Sequence, residues 1–522
     1  MSRDHDVVIV GAGPVGLVLA HLLARQGLDV GVFEKWYKPY GLPRAVGLAH
    51  DSMRVLQATG VLPDLMEHIE LQFRKSVAEY FTADGEVLVR FEFPGVDHSG
   101  FPSMVPFDQP GFEEAILAAA DAEPRITIHR GWAASALRQT ADQAFVKLDP
   151  VDGENPRDGE AIEVAARYVV GCDGGNSTVR RLIDAPMTDT GFTSEWMVVD
   201  IRPSDELAAR LPFGQSLDWR RPTTLVPSGP GRRRFEFIAL PGETAEDLGA
   251  PEKVWALLAD WDVTPKNAEL VRSAVYRFHA RWANDWRHGR VLLCGDAAHQ
   301  TPPFLGQGFN SGMRDAIALA WRLALVEKGD ASPTLLDSYS SERVPHVATV
   351  IQQAVGIGHM ISIINEQQAM GRDAQLRAMR ENPPEEPFLA PWRLGPGLGR
   401  DGDPEVRELA LQARVSRDGV SGLLDDVIGS GRFILLSRGV DPVATMSSTT
   451  QDLWRRLGGQ IVVFGAETED SEGAYERWFD SLGVDLVLVR PDFYIFAAGK
   501  VNEADAMVVE LTIQLGLAVE AA

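Results

Sequence analysis

Apolar residues along this chain fall into two kinds of run. Short continuous blocks bounded by glycine or charge read as buried strands, and blocks with three- and four-residue spacing read as helices. The first block, Val7–Val10, leads through Gly11-Ala12-Gly13-Pro14-Val15-Gly16 into a helical pattern over Pro14–Gln26. Asp29–Glu34 follows as a second strand, so the chain opens on a β-α-β unit. Further strands are expected at Thr127–His129, Ala144–Leu148, Glu163–Val170, Arg234–Leu240 and Val291–Cys294. A long helix is expected over Gly308–Glu327, with Gly329 and Asp330 near its end, and another helical stretch follows Tyr339.

The pattern breaks between Glu381 and Asp403, where Pro383, Pro384, Pro387, Pro391 and Pro396 accompany several glycines. That stretch reads as a linker. Beyond it, expected strands at Phe433–Leu436, Gln460–Phe464, Leu486–Val489 and Tyr494–Phe496 alternate with helical stretches at Ala474–Ser481 and Ala504–Leu515. They suggest a separate C-terminal α/β domain.

Length allows two to four domains for the 522 residues, at about 100–200 residues each. The formal charge of 50 − 74 = −24 argues against a nucleic-acid partner and an anionic membrane surface. An anionic ligand therefore needs a local positive site. Cys172 and Cys294 are the only cysteines, which excludes a disulfide framework and fits a reducing cytoplasm. Both lie in strand-like segments and read as buried, inert thiols. The apolar run Val7–Ala24 is preceded by Asp4-His5-Asp6 and broken by glycine and proline, so it reads as strand–turn–helix rather than as a signal segment. No other stretch approaches the roughly 20 apolar residues of a membrane span.

The first turn has the GxGxxG form between a strand and a helix. Gly11 permits a tight turn, Gly13 lets a pyrophosphate approach the backbone, and Gly16 lets helix and strand pack closely. Pro14 suits the first helical turn. Glu34 ends the second strand and can accept from ribose hydroxyls, which favours FAD or NAD over NADP. This motif alone does not separate FAD from NAD.

Two further motifs do. Gly171-Cys172-Asp173-Gly174-Gly175-Asn176-Ser177-Thr178-Val179-Arg180 follows one strand. Cys294-Gly295-Asp296-Ala297-Ala298-His299 ends another and runs on through Pro302-Pro303-Phe304-Leu305-Gly306-Gln307-Gly308-Phe309-Asn310. Each places a carboxylate and a glycine at the mouth of a buried strand, where open α/β sheets bind ligands. Asp296 can accept from sugar or ribityl hydroxyls.

Together, in this order, the three motifs resemble those of the class A flavoprotein aromatic hydroxylases, over about residues 5–355. The nearest likeness is to the 3-(3-hydroxyphenyl)propanoate hydroxylase group. It is carried by Arg221-Pro222-Thr223-Thr224, Arg234-Phe235-Glu236-Phe237, Leu336-Asp337-Ser338-Tyr339 and Glu342-Arg343-Val344-Pro345-His346. Hydroxylases that tailor polyketides share most of these features. The resemblance implies an α/β fold: a Rossmann-like FAD-binding domain (1–75, 105–185, 288–375), an inserted mixed-sheet substrate layer (76–104, 186–287), a linker (376–404) and a thioredoxin-like C-terminal domain (405–522). That last domain has no cysteine, which excludes thiol redox work and leaves packing or a homodimer contact.

The same resemblance implies roles. Gly11, Gly13, Pro14, Gly16, Glu34 and Lys35 would serve the ADP half of FAD. Arg44, in Pro43-Arg44-Ala45, and Gln109 would contact the flavin region. Asp173 and Arg180 would serve the pyrophosphate and the nicotinamide nucleotide. Asp296 would hold the ribityl chain, and Pro302, Pro303, Gly306, Gly308, Phe309 and Asn310 would line the ring. Pro302 and His299 are the candidate catalytic residues, and no metal is expected. Bland alternatives stay open: surface ion pairs for Arg44 and Arg180, a helix cap for Gln109, and satisfied backbone groups for His299. The implied reaction uses NADH or NADPH and O2 to hydroxylate a phenolic ring through a flavin C4a-hydroperoxide. Tyr276, His279 and Asp218 lie in the substrate region without one standing out. The Arg232-Arg233-Arg234 run could hold a carboxylate, although arginines flanking a strand usually face solvent. A disulfide reductase would need a second GxGxxG and a cysteine pair, which are absent. Epoxidation, halogenation, uncoupled oxidation and a non-catalytic flavin module are the remaining rivals.

Overall fold

The computed structural model describes residues 4–39, 41, 44–71, 77–383, 389, 391–403 and 405–517. Pro43, Pro384 and Pro387 lie outside the described residues. Among the described residues the strands form a nine-stranded, an eight-stranded and a seven-stranded sheet, with one separate pair.

The nine-stranded sheet explains the first apolar blocks. His5–Val10 pairs in parallel with Val30–Glu34 on one side and with Ile162–Gly171 on the other. Ile162–Gly171 in turn pairs in parallel with Val291–Leu293. Val7 to Val10 are covered on both faces, which is why they read as an unbroken run. Helix Pro14–Arg25 lies against this sheet, and helix Gln307–Lys328 packs against that helix, almost wholly buried from Asn310 to Ala324.

The eight-stranded sheet joins distant segments. Val77–Phe81 and Val87–Glu92 extend a sheet whose centre is Met187–Pro203, Arg233–Ile238 and Ala268–Ala283. Its two faces differ by simple alternation. Met197, Val199, Phe235 and Phe237 pack against Leu207, Leu248, Val254 and Leu258 of short outer helices. The intervening residues Trp196, Asp200, Arg234, Glu236 and Ile238 face the flavin-motif turns.

In the seven-stranded C-terminal sheet, Ile434–Arg438 is parallel to Gln460–Phe464 and antiparallel to Leu486–Val489, which pairs antiparallel with Ile495–Gly499. A buried ionic knot ties this part to the rest. Glu342 accepts from Arg322 at 2.5 Å and from Arg490 at 2.9 and 2.7 Å, and Asp492 accepts from Arg490 and from the Trp321 indole. Helix Glu366–Glu381 runs into the stretch expected as linker from residue 376. It buries only Ala369, Arg372 and Leu376, too sparse an apolar stripe to read as a helix in sequence. No single helix among the described residues is long and apolar enough to cross a membrane.

Candidate active site

The glycine-bearing turns meet at the C-terminal ends of adjacent parallel strands, where this class of sheet binds ligands. Gly11 has φ +109°, and a Cβ there would lie 2.4 Å from the Cys172 carbonyl oxygen. The first and second motifs therefore touch through bare backbone. At Gly13 a Cβ would meet nothing within 4 Å, leaving an open side at the start of a helix that carries no side-chain cap. Glu34 braces this turn, accepting from Ala12 N–H at 2.8 Å and Trp36 N–H at 2.9 Å. Lys35 instead pairs with Glu154 on the surface.

Asp173 accepts from the Ser177 hydroxyl at 2.5 Å and from Thr178 N–H at 2.6 Å, so it organises its own loop. Arg180 is not a surface ion-pair partner. Its Nη1 donates to Ala297 O and its Nη2 to Gly175 O, each at 2.7 Å, clamping the second motif to the third.

Asp296 is different. It is exposed in the concavity and makes no hydrogen bond to a described residue. The surrounding protein shields it enough to push its carboxyl above the usual range, although His299 and Arg44 pull the other way. Beyond it, Pro302 opens the short turn Pro303–Leu305, and Gly306 follows with φ +63° and an open Cβ side. Asn310 is fully engaged with Gly306 O, Gly47 O and Ala49 N–H. Phe309 packs on Phe107 with centroids 5.2 Å apart. Gln109 begins its helix rather than capping it, and its carbonyl accepts from Arg44 N–H at 2.8 Å and Ala45 N–H at 2.6 Å. It fixes the Arg44 loop from behind.

His299 differs from its expected catalytic place. It is fully buried, with Nε2 at 2.7 Å from Asp315. Burial opposes the Asp315 charge, but Arg343 and His299 beside it hold the carboxyl below its usual range. Asp315 also accepts from Gly295 N–H at 3.1 Å, so the pair supports the third motif from beneath. It offers no group to the cleft.

Four residues that sequence reasoning passed over or turned outward stand on the cleft face of the eight-stranded sheet: Asp200, Arg234, Glu236 and Arg272. Arg234 is buried and bidentate to Asp200, not solvated as arginines flanking a strand usually are. Its Nη1 donates to Arg44 O at 2.6 Å, which ties this face to the flavin-motif side. Strict alternation in Arg234-Phe235-Glu236-Phe237 was the available signal. Arg232 pairs with Asp108, and Asp218 is occupied by Arg220. Tyr276 joins the cluster through Arg272, whereas alternation puts His279 on the other face.

A glycine cradle, an unpartnered carboxylate at the cleft and a bare turn into a buried helix fit an extended dinucleotide such as FAD. Fold and site define an FAD-binding α/β protein. Residues 4–354 match the family model described as FAD binding domain, and residues 408–514 match the HcaD C-terminal domain. The chain belongs to the FAD binding domain family and is an FAD-dependent aromatic monooxygenase. It is 35% identical to a probable NADH-specific resorcinol 4-hydroxylase of Rhodococcus jostii, over 95% of this chain and 92% of that protein. It is 32% identical to a 3-(3-hydroxy-phenyl)propionate/3-hydroxycinnamic acid hydroxylase of Escherichia coli, with the same coverage. Among solved structures, the flavin-dependent monooxygenase PieE, in complex with FAD and substrate, superposes with TM-score 0.81 at 20% identity, covering 99% of this chain and 100% of that one. Aklavinone-11 hydroxylase gives 0.77 at 24%, covering 98% and 100%. These two likenesses speak for the fold.

Proposed function

We propose that this chain hydroxylates a small monocyclic phenol, of the resorcinol or 3-(3-hydroxyphenyl)propanoate type, with NADH or NADPH as hydride donor. The balanced reaction is ArH + NAD(P)H + H⁺ + O2 → ArOH + NAD(P)⁺ + H2O. The observation that carries this reading is the cleft face of the eight-stranded sheet. Phe304, half-buried and backed by the fully buried Trp196 with ring centroids 5.6 Å apart, offers an apolar wall for a ring. On the two strands flanking that of Trp196, Glu236 stands one row further along and Arg234 and Arg272 two rows, and these suit a phenolic oxygen. Two relatives matched along nearly their whole length are named for phenolic substrates, which supports the class.

In this reading Gly11, Gly13, Pro14, Gly16 and Glu34 hold the ADP half of FAD, with Lys35 at the rim. Asp173 and Arg180 shape the turn beside the pyrophosphate, and Asp296 accepts from the ribityl chain. Pro302, Pro303, Gly306 and Gly308 line the ring, while Arg44, Gln109, Phe309 and Asn310 hold the walls. FAD, when bound, supplies hydride acceptance and oxygen activation. The protein orients the aromatic ring and keeps water out. The domain divisions expected from sequence, the thioredoxin-like character of the C-terminal part, a homodimer and a cytoplasmic location belong to the same proposal. The β-α-β and β-β-α order of residues 434–514 supports the thioredoxin-like reading.

The test is NADH and NADPH oxidation with O2 uptake by the purified flavoprotein, with and without resorcinol or 3-(3-hydroxyphenyl)propanoate. At least about tenfold stimulation with a hydroxylated product is expected. Stimulation by polycyclic phenols alone would replace the monocyclic reading with a tailoring role.

A further inference from the structure

The charged cluster on the cleft face is built asymmetrically. Asp200 accepts from Arg234 Nε at 2.8 Å and Nη2 at 3.1 Å, and from Arg272 Nε at 2.8 Å. Both cations are thus anchored on one carboxylate. Arg272 Nη1 also donates to Tyr276 Oη at 3.0 Å. Glu236 sits among the same groups and is treated differently. It makes no hydrogen bond to a described residue, and its nearest cation is Arg234, at 3.8 Å. It is buried, yet its row neighbours Thr224 and Ala274 are only half-buried, so the cleft reaches this row.

A buried carboxylate without a donor is costly to keep ionised. Burial pushes the Glu236 carboxyl above its usual range, against the pull of Arg234 and Arg272. The neighbouring Asp200 already accepts three guanidinium N–H groups, which crowd its oxygens away from a substrate hydroxyl. Tyr276 Oη already accepts from Arg272. Among the described residues of the cluster, Glu236 is the carboxylate that no donor engages, and it lies beside two fixed cations.

We propose that Glu236 takes the phenolic proton of the substrate and so generates the electron-rich phenolate that is hydroxylated. The inference rests on the phenol reading above. The phenol O–H bond breaks, an O–H bond forms on the Glu236 carboxylate, and the electron pair stays on the phenolic oxygen. Negative charge moves from Glu236 to the substrate while Arg234 and Arg272 stay in place, so the net charge of the buried site is unchanged. That neutrality removes most of the cost of making an anion in a desolvated cleft. The proton returns from Glu236 to the oxygen as product leaves. Groups facing Glu236 are Arg234 on its own strand, Asp200 on Met187–Pro203, Arg272 and Tyr276 on Ala268–Ala283, and Thr224 and Gln215 on the other side.

The test uses the holoenzyme and 4-nitrophenol, a probe whose phenolate is coloured. It is read one pH unit below the probe's own pKa, where about a tenth is ionised in water. Wild-type protein is expected to bind it mainly as phenolate. Glu236→Gln is expected to bind it mainly as the neutral phenol, with a phenolate band several-fold smaller, and Glu236→Asp to recover part of the band. For any phenol that wild type hydroxylates, the acid limb of kcat/KM is expected to move to the phenol's own pKa in Glu236→Gln. An unchanged band and an unchanged acid limb in that variant overturn the assignment. Should Glu236→Gln lack FAD, Glu236→Ala is read instead, and an unshifted limb there is equally fatal. A Glu236-dependent band in a protein that turns over no phenol would sink the substrate reading and leave the proton assignment standing.

Discussion

Replacing Asp296 separates cofactor binding from folding. The carboxylate is exposed in the concavity and has no hydrogen-bonding partner among the described residues. Its folded-state pKa is raised by the surrounding protein. For a raised acid, any contribution to stability is present below the ordinary carboxylate pKa and fades as pH rises through the folded value. At neutral pH the ionised side chain therefore gives the apoprotein nothing, and Asp296→Ala is expected to change its stability by no more than about 0.5 kcal/mol. Toward FAD the balance is opposite. A hydroxyl donating to a charged acceptor is worth about 1.5–3 kcal/mol. That corresponds to FAD binding weakened roughly 10- to 150-fold. The assay is titration of apoprotein with FAD, followed by flavin fluorescence, beside a thermal melt of the same apoprotein. Asp296→Asn, which keeps an acceptor without the charge, should fall between. Affinity within about twofold of wild type, or an apoprotein melt lowered by several degrees, would refute the assignment of Asp296 to the ribityl chain.

Two further substitutions follow from the buried ion pairs. Glu342→Gln leaves Arg322 and Arg490 facing one carboxylate, and should cost about 3–5 kcal/mol in stability. Burial opposes the Glu342 and Asp492 charges, but the two arginines hold both carboxyls below their usual range. The stability they give is present above the ordinary carboxylate pKa and is lost as pH falls through the lowered folded values. Thermal melts from neutral to acid pH should therefore converge for wild type and variant, and a constant gap would count against the network. Arg180→Met keeps the volume but leaves Ala297 O and Gly175 O without their donor, at about 1.5–3 kcal/mol for each charge-assisted bond. Lower thermal stability and weaker FAD binding together are expected; unchanged values for both would show that the clamp is dispensable.

What could be read from sequence differs in kind from what could not. The opening strand and its glycines were legible because their constraint is local. A strand covered on both faces is an unbroken apolar block, and Gly11 is forced by a backbone contact that admits no Cβ. The long strands Met187–Pro203 and Ala268–Ala283 were not legible. The first has only the short apolar block Trp196–Val199 within its 17 residues, and the second is mostly half-exposed with polar residues between apolar ones, so neither pattern reveals the strand's length. Arg234 shows why side chains mislead. Its sequence neighbours suggest a solvated arginine, but Asp200, 34 residues away, draws it into the cleft. Arg272 reaches the same Asp200 from 72 residues away. His299 turns away from the cleft for a similar reason, since Asp315, itself held by Arg343, claims it from below. No local pattern announces such pairings. The glycine-bearing turns are therefore made chiefly of backbone and are read from glycine spacing, whereas the proposed substrate face is made of paired side chains on alternating strand positions. Those positions can change without disturbing the cradle, because the apolar residues between them hold the sheet to its outer helices. On the proposed reading, substitutions at Thr224, Arg272 or Tyr276 should alter the choice among phenols while leaving FAD binding unchanged, and equal loss of both would count against the separation.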